Sequence, residues 1–220
     1  MTSTARRTPW ILARSAQAAI AAAAVVDAFR AVAVRDQYLH KSDASLHRSG
    51  FVSMVFLYLM TLTIVLFLVW LVRSRHNAQE LSPQASIPSR GWTIGAWFIP
   101  VVNFFVPRRF VLDIGRASSA SWGQKGGTTL VNAWWGAWIT HSLVLVVAEV
   151  AAPGSMALLI VAETLMVAAA VLLGLVIERI TALQNAALGA TLEGAIQHAK
   201  ALSVAHETVE PMPGTVGGEA

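Results

Sequence analysis

The chain has 220 residues, 55% hydrophobic and only 13% charged, with a formal net charge of +4 and a mean hydropathy of +0.59. Soluble domains carry about 25% charged residues, so this composition excludes a water-soluble globule and requires lipid to solvate part of the surface. The pI near 10.1 does not point to nucleic acid, because the basic residues sit beside apolar runs, where they act as topology determinants and contacts for anionic lipid. Cysteine is absent, which excludes disulfides, thiolate metal sites and a cysteine nucleophile.

In chain order, Arg6 and Arg7 precede an alanine-rich run over 10–34. Ala31-Val32-Ala33 has the small residues of a signal-peptide cleavage site. Asp27, Arg30 and the length of the run favour a first membrane span instead, and its alanines suit close helix packing. Residues 35–50 are a polar connector. Residues 51–72 contain no charge and form a second span, stopped by Arg73 and Arg75. A Ser/Pro-rich turn leads into a strongly apolar segment over 92–119 that is broken by Pro100 and Pro107 and turns basic at Arg108-Arg109. A Gly/Ser loop follows. The third span covers 130–151, entered through the aromatic belt of Trp134, Trp135 and Trp138. Pro153-Gly154 makes a tight turn, and the fourth span covers 156–177, with helical spacing continuing past Arg179. The expected architecture is all-α: one transmembrane domain over 1–202 built as an integral membrane four-helix bundle, then a disordered cytoplasmic tail over 203–220. With the N-terminus cytoplasmic, twelve of the 16 basic residues fall on that side. Both termini and the central loop are therefore expected in the cytoplasm.

The segment over 92–119 reads as a proline-broken re-entrant or interfacial hairpin between spans two and three. Trp92 to Ile99 gives about 12 Å of helix, less than half the hydrocarbon thickness. Pro100 disfavours helix at Ile99, Asn103 can satisfy freed backbone groups, and Pro107 suits the first position of a new helix. In that helix Phe110, Val111 and Ile114 share one face, while Arg109, Asp113 and Arg116 pair at i, i+4 and i, i+3 on another.

Ionisable groups within spans are functional candidates by default. Depth counting puts Asp27, Arg30, Glu149 and Glu163 in one outer layer, with His141 somewhat deeper. They read either as an outward-facing site that binds a polar ligand or moves protons, or as groups satisfied between helices. Motifs for hydrolysis, nucleotide binding or zinc peptidase chemistry are absent from the sequence. His76 and Glu80 share the i, i+4 spacing of a metal pair but lack a third ligand, so no cofactor or metal is expected.

The stretches WLVRSRHNAQEL, GWTIGAWFIPVVNFFVPRRFVLDIGRAS and NAWWGAWI together resemble an actinobacterial membrane family known as domain of unknown function 4328. The resemblance covers about Phe67 to Gln184. Its most specific part is Trp97, Phe98, Ile99, Pro100, Asn103 and Pro107; Arg75, Asn77, Trp134, Trp135 and Gln184 match further recurrent positions. Phe104-Phe105-Val106 stands where relatives more often carry Leu-Trp-Arg. The resemblance implies a multi-span bacterial plasma-membrane protein and no particular activity. The functional expectation is a non-enzymatic protein that binds a lipid or small ligand, or serves as an accessory subunit. The alternative is a small ion- or proton-coupled transporter or channel using Asp27, His141 and Glu163. Expected partners are the lipid bilayer and either a second copy or another membrane protein, with no nucleic acid.

Overall fold

Local sequence determines where the chain bends. A computed structural model describes residues 10–207; Arg6, Arg7 and residues 208–220 of the tail expected over 203–220 lie outside them. Helix α1 runs Trp10–Leu39 and α2 runs Asp43–Leu81. The connector expected over 35–50 is therefore mostly helical, and only residues 40–42 turn the chain. Ser42 explains the abrupt restart. Its Oγ accepts from the Ser45 N–H at 3.2 Å and Ser45 Oγ accepts from the Ser42 N–H at 3.2 Å, a reciprocal cap that satisfies two otherwise orphaned donors.

Three short helices follow: α3 (Arg90–Gly95), α4 (Pro100–Asn103) and α5 (Val106–Ser118). The helix expected from Trp92 to Ile99 already ends at Gly95, before Pro100, and Pro107 is the second rather than the first residue of α5. Two long helices complete the chain, α6 (Gly127–Ala151) and α7 (Met156–Glu207). Helix α7 has 52 residues, roughly 78 Å at the α-helical rise. It continues through 203–207, and its side chains over 185–204 are largely exposed.

The described residues are all-α, and four helices are long and apolar enough to cross a membrane: α1, α2, α6 and α7. Large apolar side chains such as Phe51, Leu57, Val146, Ile160 and Val171 point outward. Water would not tolerate so extensive an apolar surface on a monomer, which marks a multi-pass membrane protein. Helix α1 packs on α2 and α7, and α7 packs on α6. The alanines of α1 permit the close approach: Ala13, Ala16, Ala19 and Ala23 are buried, and Thr63 Oγ1 of α2 reaches the Ala19 carbonyl at 3.1 Å.

At the end where α2 finishes, α5 packs against α2, α6 and α7. Its buried face comprises Phe110, Val111 and Ile114, while Arg109 and Arg116 are exposed, so the amphipathic pattern is used for packing. Trp122, in the loop after α5, is 1% exposed. A Cβ on either Gly115 or Gly127 would lie 2.5 Å from its ring, so both glycines are needed for the indole to seat. Arg179 of α7 covers the same ring at 5.4 Å and hydrogen-bonds the Lys125 carbonyl.

Candidate functional site

Two polar clusters occupy opposite ends of the bundle. The first lies where α1, α6 and α7 meet beside the 153–154 turn. Asp27 is 1% exposed. One turn along α1, Arg30 donates to Asp27 Oδ1 through Nε at 2.8 Å and Nη2 at 2.6 Å. Its guanidinium also sits 4.7 Å from the Phe56 ring centre. The pair therefore neutralises itself within the helix, as a desolvated charge must. Arg35 donates Nε to the Gly154 carbonyl at 3.1 Å, tying α1 to the α6–α7 turn. Gly154 has φ 80° and would bring a Cβ within 2.9 Å of the Tyr38 ring, so the turn requires glycine for conformation and for space.

These contacts enclose a cavity of about 220 Å³ lined by Arg30, Arg35, Tyr38, Glu149 and Glu163 together with apolar side chains. Glu163 is half-buried and within electrostatic reach of Asp27 and Arg30. Its Oε2 is shut off from solvent and has no hydrogen-bond partner. Glu149 is exposed at the mouth. His141 is 6% exposed and its Nδ1 donates to the Ala162 carbonyl at 2.8 Å. Since a carbonyl can only accept, Nδ1 carries the proton in this arrangement. His141 thus touches the residue before Glu163 without lining the cavity.

The second cluster closes the other end. Gln184 of α7 is fully buried. Its Nε2 donates to the Ser74 carbonyl at 2.8 Å and to Ser118 Oγ at 2.9 Å, and its Oε1 accepts from Asn77 Nδ2 at 3.2 Å. Ser118 Oγ in turn donates to the Ile114 carbonyl at 2.7 Å. One turn toward the membrane, Trp70 Nε1 donates to Thr181 Oγ1 at 3.1 Å. One amide thus joins α2, α5 and α7. Asn77 Oδ1 and Ser74 Oγ remain unpartnered.

The proline-broken segment is anchored beside this second cluster. The Trp97 ring lies 5.2 Å from Phe67 of α2 and 6.5 Å from Trp135 of α6, centre to centre, bridging two helices. Trp135 Nε1 donates to the Phe104 carbonyl at 3.1 Å, and Trp134 stacks edgewise on Trp135 at 5.2 Å. Pro100 opens α4 and Pro107 is buried near the start of α5. Buried Trp97 Nε1 and Asn103 Oδ1 have no partner. Asp113 pairs with Arg116 at 3.4 Å, and Arg109 also acts on it electrostatically. Burial raises the Asp113 carboxyl above its ordinary value of 3.8, against the opposing pull of Arg116 and then Arg109.

The structure therefore groups Asp27, Arg30, Glu149 and Glu163 with His141 adjacent, and separately groups Asn77, Trp97, Trp134 and Trp135. Sequence reasoning missed Ser74, Ser118, Thr181 and Trp122. The serines and threonine carry no periodic signal, and Trp122 stands in a Gly/Ser-rich stretch that reads as a solvated loop.

Residues 30–182 match the model of a family described as a domain of unknown function (DUF4328), and the chain belongs to that family. No curated protein and no solved structure matches the chain.

Proposed function

We propose that this member of the DUF4328 family is a non-catalytic protein of a bacterial plasma membrane, with both termini cytoplasmic, that binds a primary ammonium group in its outer cavity. The ammonium belongs either to a lipid headgroup or to a small free amine. One observation supports the reading: Glu163, which lines a cavity of about 220 Å³, has a buried carboxylate oxygen without a hydrogen-bond partner. A buried acceptor left unmade is costly unless a donor arrives to satisfy it. Asp27 and Arg30 neutralise each other, so Glu163 and Glu149 against Arg35 leave the cavity one net negative charge to offer a cation. In the same reading the exposed Phe98, Phe104 and Phe105 seat the proline-broken segment in hydrocarbon at the cytoplasmic side.

The test uses the full chain in detergent, titrated with phosphatidylethanolamine, phosphatidylcholine and free ethanolamine and read by native mass spectrometry. The choline headgroup has no N–H to offer Glu163. Preferential retention of either ethanolamine compound, lost in Glu163→Leu, supports the reading and identifies the source. Equal retention of choline and ethanolamine lipids, or an unchanged preference in Glu163→Leu, overturns it.

Proton- or ion-coupled transport is the second reading. It is favoured by His141 bonding the carbonyl of Ala162, the residue before Glu163, with Glu163 within electrostatic reach of the Asp27–Arg30 pair. Flux in proteoliposomes that disappears in Glu163→Ala would establish it in place of simple binding.

A further inference from the structure

At the end of the bundle opposite the outer cavity, a groove of about 500 Å³ runs between α2 and α3. Its walls include Arg73, Arg75 and His76 of α2 and Arg90 of α3, set above Leu68 and Val72. The residues lining it include no acid. Glu80, outside the lining, contacts His76 Nε2 at 3.3 Å.

Arg75 donates Nε to the Pro88 carbonyl at 2.5 Å. This bond holds the 82–89 connector against α2 and fixes the position of α3, which Ser89 starts by accepting from the Trp92 N–H at 3.4 Å. Arg90 is consequently presented across the groove from Arg73. Along α2, Leu68, Val72 and His76 stack at four-residue intervals on one face. Within two helical turns, about 11 Å, that face passes from apolar residues to the basic rim. The groove therefore changes from hydrocarbon-compatible to anion-binding along the axis on which a phospholipid changes from acyl chain to phosphate.

We propose that this groove is a binding site for an anionic phospholipid, whose phosphodiester is held by Arg73, Arg75 and Arg90 while its acyl chains lie along Leu68 and Val72. Guanidinium groups suit this task, since their planar donors match phosphate oxygens in pairs, and basic pockets beside spans are recurrent headgroup sites. A soluble anion would leave the apolar half of the groove unused. The inference stands apart from the outer cavity, which is built from other helices and attracts the opposite charge.

The experiment titrates the detergent-solubilised full chain with phosphatidylglycerol, phosphatidylcholine and inorganic phosphate, again read by native mass spectrometry. Phosphatidylglycerol should be retained over phosphatidylcholine. Each charge removed should weaken retention about fivefold, near the value of one arginine at an anionic surface, in Arg90→Gln and again in Arg73→Gln combined with it. Arg109→Gln, which removes an exposed charge from α5 instead, should leave retention unchanged. Equal retention of the two lipids, or an equal loss in Arg109→Gln, overturns the proposal. So does displacement of phosphatidylglycerol by inorganic phosphate but not by chloride of equal ionic strength, which would make the groove a soluble-anion site. Glu163→Leu should not alter phosphatidylglycerol retention, so failure here and failure of the outer cavity are separable.

Discussion

Gln184 and Glu163 lie on the same helix, six turns apart, and differ by an amide against a carboxylate. Around Gln184 both amide hydrogens and the carbonyl are engaged by α2 and α5, and Trp70 covers the network from the membrane side. Around Glu163 one oxygen has no partner and a cavity stands open. The first arrangement satisfies the Gln184 amide in full, although Asn77 Oδ1 and Ser74 Oγ beside it lack partners. The second leaves an acceptor that only an incoming donor can satisfy. Buried polarity by itself is thus a poor guide to function; what separates the two ends is that the residue with an unmade bond at Glu163 also lines a cavity.

The largest effect should come from breaking the closed cluster. Gln184→Leu removes three hydrogen bonds at once and strands Asn77 Nδ2 in the core. With a penalty of about 1–3 kcal/mol for each buried group left unmade, the folded state should lose about 2–4 kcal/mol. Thermal unfolding of the purified chain in detergent measures this, and an unchanged midpoint would show that the amide network contributes no stability.

Much of this contrast can be read from the sequence at one end and little at the other. The charged layer is legible because charge is rare in spans. Asp27, Arg30, Glu149 and Glu163 stand out by type, and a constant rise per residue places them at one depth. The closed cluster is made of Ser74, Asn77, Ser118, Thr181 and Gln184, polar residues that are ordinary at helix ends. Nothing local shows that α5 folds back to bring Ser118 to Gln184. Trp122 is hidden for a similar reason: its burial depends on Gly115 and Gly127, which lie on two different helices. The four long helices follow from apolar runs alone, but the helical state of 35–50 depended on a serine pair that reads equally well as a turn.

A smaller effect, of opposite sign, should come from the open end. Glu163→Leu removes the unpartnered oxygen and fills apolar space, and should stabilise the protein by about 1 kcal/mol, the low end of the cost of an unmade buried acceptor. A loss of stability comparable to that of Gln184→Leu would mean that Glu163 is a structural joint after all and would erase the distinction between the two ends.

Asp113 lies between these extremes, and its variant should have the smallest effect. The carboxylate is partnered by Arg116, yet burial outweighs the arginines and its folded value stands above 3.8. A raised folded value means the native state binds the proton more tightly than the unfolded chain does. The stability this confers is fully present below the unfolded value and is lost as pH rises through the folded one. At neutral pH the charge therefore weighs against the fold. Asp113→Asn keeps the shape without the charge, so it should unfold at a slightly higher temperature than the parent near pH 7. That difference should shrink to nothing as pH falls below the unfolded value of about 4. A variant less stable at neutral pH would show that the Arg116 pair outweighs the burial of the carboxylate. Asp113 would then belong with the closed cluster beneath it, as a satisfied group holding α5 in place.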